Sequence, residues 1–558
     1  MRRRSFLARS AAGAAAVLGS GAARIVPVLG QPAQQTPAGA TLYNGIQLPQ
    51  QWPPKLAGLD REPMPVPYLT APPRVIPIDV GRQLFVDDFL IEATTLRRTY
   101  HQAKYYADNP VVRPDKPWEQ DGEEARAMAF SDGVWYDPAD GLFKMWYMSG
   151  QKAATAYAAS RDGIHWQRPS LDVEPGTNVV LRQKRDSSTV WLDHHDADAA
   201  RRLKMFMVVP KPGGGWMIAL RCSPDGIHWS EPLATSGSVG DRTTVFYNPF
   251  RSVWVYSLRT SFPGLPRSRA YQEHRDAAAG LNFSNHRQYP WITSDRLDPA
   301  NPDPEFSSIP TQLYNLDATA YESLLVGLFS VWQGPENGVC KQRGIQKRNE
   351  VLLGFSRDGF HWHRPDRRPF AGVNPTAGAW NWGNVQSVGG GCLVAGDRLY
   401  FYVSGRAIAE AGRGPWTSTG LAFLRRDGFA SMDADQQEGT LTTRPLRFNG
   451  RRLFVNVDAP RGELRAEVLD PSGQVIDPFR RERCQPVSVD KTLVEVRFSG
   501  TDLADLRGRP VRFRFALRNG SLYSFWVSPD ESGASHGYVA AGGPGLTGPI
   551  DSEGSKRL

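Results

Sequence analysis

Ser160-Arg161-Asp162-Gly163-Ile164-His165-Trp166 returns as Ser223-Pro224-Asp225-Gly226-Ile227-His228-Trp229 and again as Ser356-Arg357-Asp358-Gly359-Phe360-His361-Trp362. A shortened copy, Arg425-Arg426-Asp427-Gly428-Phe429, closes the series. The steps between copies are 63, 133 and 69 residues, so one further unit sits inside the doubled step without its signature. A period of about 60–70 residues marks repeated supersecondary units.

The chemistry of the heptapeptide is that of a turn. Gly accepts a positive φ, and Asp bonds the backbone amides that follow it. The Trp three residues after Gly supplies an apolar plate for packing. His165, His228 and His361 therefore read as structural residues, not catalytic ones.

Each unit carries an aromatic or apolar strand: Phe143-Lys144-Met145-Trp146-Tyr147, Leu203-Lys204-Met205-Phe206-Met207, Val253-Trp254-Val255-Tyr256, Leu324-Leu325-Val326-Gly327-Leu328 and Leu399-Tyr400-Phe401-Tyr402-Val403. There are five, and the third fills the doubled step. First strands are expected near 125–136, 187–193, 242–248, 311–319 and 384–394. Five β-rich units predict an all-β chain whose residues 79–438 form a five-bladed β-propeller. After Asp435, short alternating strands predict a β-sandwich over 439–530.

The flanks differ in texture. Arg3-Arg4-Ser5-Phe6-Leu7 precedes a small-residue apolar stretch too short to span a bilayer, so residues 1–30 resemble a twin-arginine export signal and place the protein in the periplasm or outside the cell. Residues 31–78 are Pro-rich and read as an extended arm; 531–558 are Gly- and Ser-rich and read as a flexible tail. The formal charge of +9 includes five leader arginines, which leaves +4 and gives no case for nucleic acid. Cys222, Cys340, Cys392 and Cys484 form no C-x-x-C pair and suggest neither a disulfide framework nor a zinc site.

The Ser-x-Asp-Gly-x-His-Trp turns resemble the Ser-x-Asp-x-x-x-Trp turns of the five-bladed propeller glycosidases, families 43 and 32. A β-sandwich behind the propeller is similar to the layout of family 32. The Trp-Met-Asn-Asp-Pro-Asn and Glu-Cys signatures of that group are absent. The resemblance implies a glycoside hydrolase acting on poly- or oligosaccharides, with acids projecting from first strands into a central funnel. No cofactor or metal is expected from the residues, and whether a structural cation sits in the funnel stays open.

Carried over by position, the implied acids are Asp121 and Glu123 entering unit one, Asp186 entering unit two and Asp241 entering unit three, with Asp317 a weaker candidate. A unit-one acid would serve as base or nucleophile, Asp186 would orient it and Asp241 would be the acid, roles that are open to exchange. Trp118, Trp191, Trp380 and Trp382 are the candidate sugar plates, and Arg242 joins them as a substrate-binding candidate. Two other readings stay open: a carbohydrate-binding propeller without catalysis, and a lyase on uronate-containing glycans. Gly533-Ala534-Ser535-His536-Gly537 matches the serine-hydrolase pattern, but no helix pattern follows it, as that elbow requires.

Overall fold

The computed structural model describes residues 39–150, 154–283, 289–407 and 415–557, so the leader lies outside the described residues. The chain is nearly all-β: among the described residues, α-helix is confined to Pro67–Thr70 and Asn337–Arg343.

Each of the five aromatic or apolar strands is an inner member of its own antiparallel sheet. They run Leu142–Ser149, Leu203–Pro210, Val253–Thr260, Leu324–Trp332 and Arg398–Ala407. Their alternating side chains are almost wholly buried on both faces, which explains why they read as aromatic and apolar runs. The first and fifth sheets share an edge, where Ala125 and Arg126 pair in parallel with Trp416 and Thr417. Lys104–Tyr105, from before the first sheet, pairs with Trp416–Arg425 and completes the fifth.

The heptapeptide turns are built as their residues dictate. In the second copy the Asp225 carboxylate accepts from the amides of Ile227 and His228 at 2.8 and 2.9 Å, and His228 Nδ1 lies 2.7 Å from its other oxygen. The first and third copies repeat that geometry. Each turn is also clamped by a neighbouring sheet. Tyr402 of the fifth sheet donates to Gly163 O at 2.5 Å, Trp146 of the first to Gly226 O at 2.7 Å, and Trp291 of the third to Phe360 O at 2.8 Å. Gly226 has φ +83, and a Cβ there would stand 2.3 Å from the Trp146 ring, so the repeat needs glycine at this position. The third sheet keeps a trace of the turn. Asp276 caps Ala278 N and Ala279 N in the same way, without Gly or Trp.

The second β-region has two sheets. One runs Asp490–Val496, Arg452–Asp458, Gly520–Ser528, Ala430–Ala434 and Arg97–Tyr100, and the other Ile91–Thr94, Gly439–Thr443, Arg512–Arg518 and Glu463–Leu469. Phe85, Leu441, Val455, Phe513, Phe515 and Phe525 form the apolar layer among them. This corrects the expected boundaries: 91–100 and 430–434 were assigned to the five-unit array, yet they pair with strands beyond 438. Sequence alternation shows that a segment is a strand but not which distant edge it satisfies.

The C-terminal segment is corrected as well. In place of a flexible tail, Tyr538–Val539 pairs with the end of Gln312–Glu322, and Val539, Ala541, Leu546 and Asp551 are buried. Ser535 donates to Glu322 at 2.7 Å inside a buried ion network, which gives the Gly-x-Ser-x-Gly match a structural role. In the arm, Leu42, Ile46, Leu48, Tyr68, Ile76 and Ile78 are buried, and Ile76–Pro77 pairs with Leu446–Arg447.

Candidate functional site

The first strands of the sheets begin, and the second strands end, at one end of the array. Arg242, immediately before Thr244–Asn248, is the residue around which that end is built. Its side chain is buried, and its backbone is left-handed at φ +62. Its guanidinium lies 3.5 Å over the Phe130 ring and 5.0 Å from the Tyr314 ring, and Nη2 donates to Asn315 Oδ1 at 3.0 Å and Ser387 Oγ at 2.5 Å. Phe130 and Ser387 are left-handed too, at φ +56 and +63. Arg242 therefore touches two further non-glycine residues in this sparsely populated region. Such strain persists only where the surroundings over-determine it, and it concentrates at functional sites.

Two carboxylates flank Arg242. Asp186 Oδ1 accepts from the Arg242 amide at 3.2 Å, and Asp241, about one-third exposed, pairs with Arg267 at 2.9 Å and Arg259 at 3.3 Å. Deeper, Asp317 accepts from Asn315 and from Val388 N, both at 2.9 Å, and burial raises its pKa. Above them Lys347 donates to the Tyr314 hydroxyl at 3.1 Å, and its ammonium lies 5.0 Å from the Trp332 ring. Burial pushes the Tyr314 phenol up, yet Lys347 and Arg242 together hold it below its ordinary value of 10. Burial, with Arg242 and Arg267 close by, pulls Arg269 well down.

The fold brings together Asp186, Asp241 and Arg242. Glu123 and Trp382 line a cavity of about 590 Å³ with Glu124, Arg126, Lys347 and Arg406, and Lys347 connects it to Tyr314 and hence to Arg242. Glu124, rather than Glu123, is tied down, to Arg126 at 2.8 Å and Arg406 at 3.1 Å. Asp121 is exposed in the loop before the first strand.

Three of the tryptophans sit elsewhere. Trp191 lies near the far end of its strand, buried at 4.8 Å from Trp135, beside a cavity of about 30 Å³ that Tyr538 and Ala540 help to close. Trp380 fills a slot left by Gly405 and Gly420, where a Cβ would stand 2.3 and 2.1 Å from its ring. Trp118 donates to Asn178 at 2.8 Å beside the first sheet. In each case a strand or loop direction invisible in sequence decides the outcome. Sequence reasoning missed Tyr314, Lys347 and Arg267. Each lies at the same strand-end level as Asp241, and that positional signal would have found them.

No protein-family model and no curated protein matches the chain. Among solved structures it is similar to an N-acetylgalactosamine deacetylase from F. plautii, at 14% identity and a TM-score of 0.37 over 60% of this chain and 96% of that one. It is also similar to an endo-arabinase from Bacteroides thetaiotaomicron, at 10% and 0.34 over 52% and 94%. A family 43 arabinoxylan arabinofuranohydrolase from Bacillus subtilis matches at 11% and 0.32, over 76% and 100%. Likenesses this distant carry no argument about activity, which has to come from the residues themselves.

Proposed function

We propose that this chain is an exported glycoside hydrolase, a five-bladed β-propeller with an appended β-sandwich that cleaves glycosidic bonds of poly- or oligosaccharides. Five sheets centred on the repeat strands, each turn clamped by a neighbour and the first edge meeting the last, support the propeller reading.

The observation that carries the functional reading is the meeting of Asp186 and Asp241, from the entrances of two adjacent sheets, at one strained residue, Arg242. Asp241 is ion-paired to two guanidinium groups and suits the carboxylate that acts as base or nucleophile. Glu123, which lines the adjoining cavity, is by position the remaining candidate for the acid that protonates the departing glycosidic oxygen. Asp186 works as a positioning residue, through the Arg242 amide. In hydrolysis, water adds across the bond: its hydroxyl goes to the anomeric carbon and its proton restores the acid.

One observation favours a second reading. A tyrosine phenol drawn below its usual value by a lysine and an arginine is the base that β-elimination from a uronate needs. Incubating the protein with a panel of neutral and acidic polysaccharides separates the two. Hydrolysis releases reducing ends without ultraviolet absorbance, and elimination releases ends that absorb. If no glycan in the panel gains reducing ends, both catalytic readings fall and a carbohydrate-binding propeller takes their place.

A further inference from the structure

The end of the array built around Arg242, the mouth of the candidate site, gathers more basic than acidic side chains. Arg242, Arg259, Arg267, Arg269 and Lys347 gather around Tyr314, with Asp186, Asp241 and Asp317 beside them. The adjoining cavity repeats the excess, with Arg126, Lys341 and Arg406 against Glu123 and Glu124. Nε and Nη1 of Arg242 and Nε of Arg267 are buried without a hydrogen-bond partner, so part of this charge goes unanswered within the protein. Neighbouring cations with spare donors in a partly dry site are stabilised by an anion that accepts charge-assisted hydrogen bonds.

We infer that the glycan taken by this site carries an acid group, a carboxylate or a sulfate, bound at Lys347 and Arg267 while its ring lies against Trp382. The inference rests on reading the mouth as a glycan site and names the class of sugar that enters it. Lys347 and Trp382 line the same cavity, and Lys347 and Arg267 both approach the Tyr314 ring, at 4.8 and 5.2 Å. A neutral sugar's hydroxyls accept hydrogen bonds from these donors but bring no charge to balance the excess. An acidic one satisfies them and is drawn in by the field of the mouth.

Calorimetric binding to the full chain tests this with two matched pairs. One is oligogalacturonate against its fully methyl-esterified form; the other is a sulfated galactan oligosaccharide against its desulfated form. We expect at least one acidic member to bind about tenfold or more tighter than its neutral twin, with the advantage shrinking as salt rises. Lys347→Ala should remove most of that preference and Lys347→Arg should keep it, with equal melting temperatures confirming that both fold. Whichever pair shows the preference identifies the acid group.

Equal binding within both pairs, or a preference untouched by Lys347→Ala, overturns the inference. Because binding is read apart from turnover, the two claims separate. Cleavage of neutral glycans with no acid preference would sink this inference alone. Acid-dependent binding without cleavage of any glycan would sink the catalytic reading alone.

Discussion

Arg82 and Asp427 meet at 3.0 Å with both side chains fully buried, although 345 residues separate them in the chain. Arg82 also donates to Thr492 O at 2.7 Å and stacks 4.1 Å over the Trp526 ring. Asp427 accepts from Tyr321 and Ser524, both at 2.6 Å, and Arg426 next to it pairs with Glu322 at 3.0 Å and Asp551 at 2.8 Å. This network ties Arg82, just after the arm, to the fourth sheet, the second β-region and the C-terminal segment at one point. The shortened fourth copy of the heptapeptide thus became a latch: Asp427 itself takes the left-handed conformation at φ +61.

Removing one partner of a buried pair leaves its charge uncompensated, which costs more than the pair contributes. Arg82→Met should lower stability by about 3–5 kcal/mol. Chemical denaturation measures this, and a loss below about 1 kcal/mol would show that the latch is energetically idle.

Ending the chain after Ser528 removes the strand on Gln312–Glu322, strips Arg426 of Asp551 and opens the apolar cavity at Trp135 and Trp191. The shortened protein should be insoluble or melt far below the full chain. A truncated chain with unchanged melting would return the segment to the status of a loose tail.

The heptapeptide aspartates should rank by burial. The Asp358 side chain is 5% exposed and that of Asp162 is 50% exposed, so Asp358→Ala should cost more within the range of about 0.5–2 kcal/mol typical of lost capping acceptors. Both variants should keep whatever activity the wild type has when assayed below their melting points. An inactive variant with normal melting would contradict the structural assignment of these turns.

Asp225 and His228 give that cost a pH dependence. Partial burial pushes the Asp225 carboxyl up, but His228 and the amides of His228 and Ile227 outweigh it and hold it at about 2. Its contribution is full above the unfolded carboxylate value of about 4 and is lost as pH falls through about 2. Bonds to Asp225 and Asp172 raise His228, so its contribution is full below about 6.5 and fades as pH rises through the folded value. The melting penalty of Asp225→Ala should therefore be widest between about pH 4 and pH 6.5. A penalty that does not vary with pH would mean that the pair contributes only packing.

Trp380 and Trp382, one residue apart, should separate cleanly. Trp380→Ala empties the slot formed by Gly405 and Gly420 and should cost about 2–4 kcal/mol, below the range for fully buried rings because Trp380 is half-buried. Trp382→Ala should leave melting within about 1 kcal/mol of wild type and weaken glycan binding. The opposite pattern in a melting and binding comparison would move the sugar plate to Trp380.

Asp241→Asn keeps shape and removes the charge. On a glycan that the wild type cleaves, turnover should fall about 10²–10⁴-fold with binding preserved. Full activity in this variant would exclude Asp241 from the chemistry.

What the sequence determined by itself was local. Asp and Gly within one heptapeptide make a turn wherever they occur, because the carboxylate and the amides it caps are two and three residues apart. Alternating aromatic strands between those turns make sheets, and so Phe143–Tyr147 and its four counterparts were legible as the inner strands. The same positional logic picked Asp186 and Arg242, whose carboxylate and amide meet at 3.2 Å, and Asp241 next to them in the chain. Tertiary structure decided the pairings with no local marker. Lys104–Tyr105 joins the fifth sheet, Ile91–Thr94 joins the second β-region, and Tyr538–Val539 closes the end opposite the mouth. It also decided the character of the site. Asp241 is a lone acid in sequence, but Arg259 and Arg267 reach it from one neighbouring stretch and Lys347 crowns Tyr314 from another. Charge acts through space over a few ångströms, and chain order does not encode which side chains will come that close.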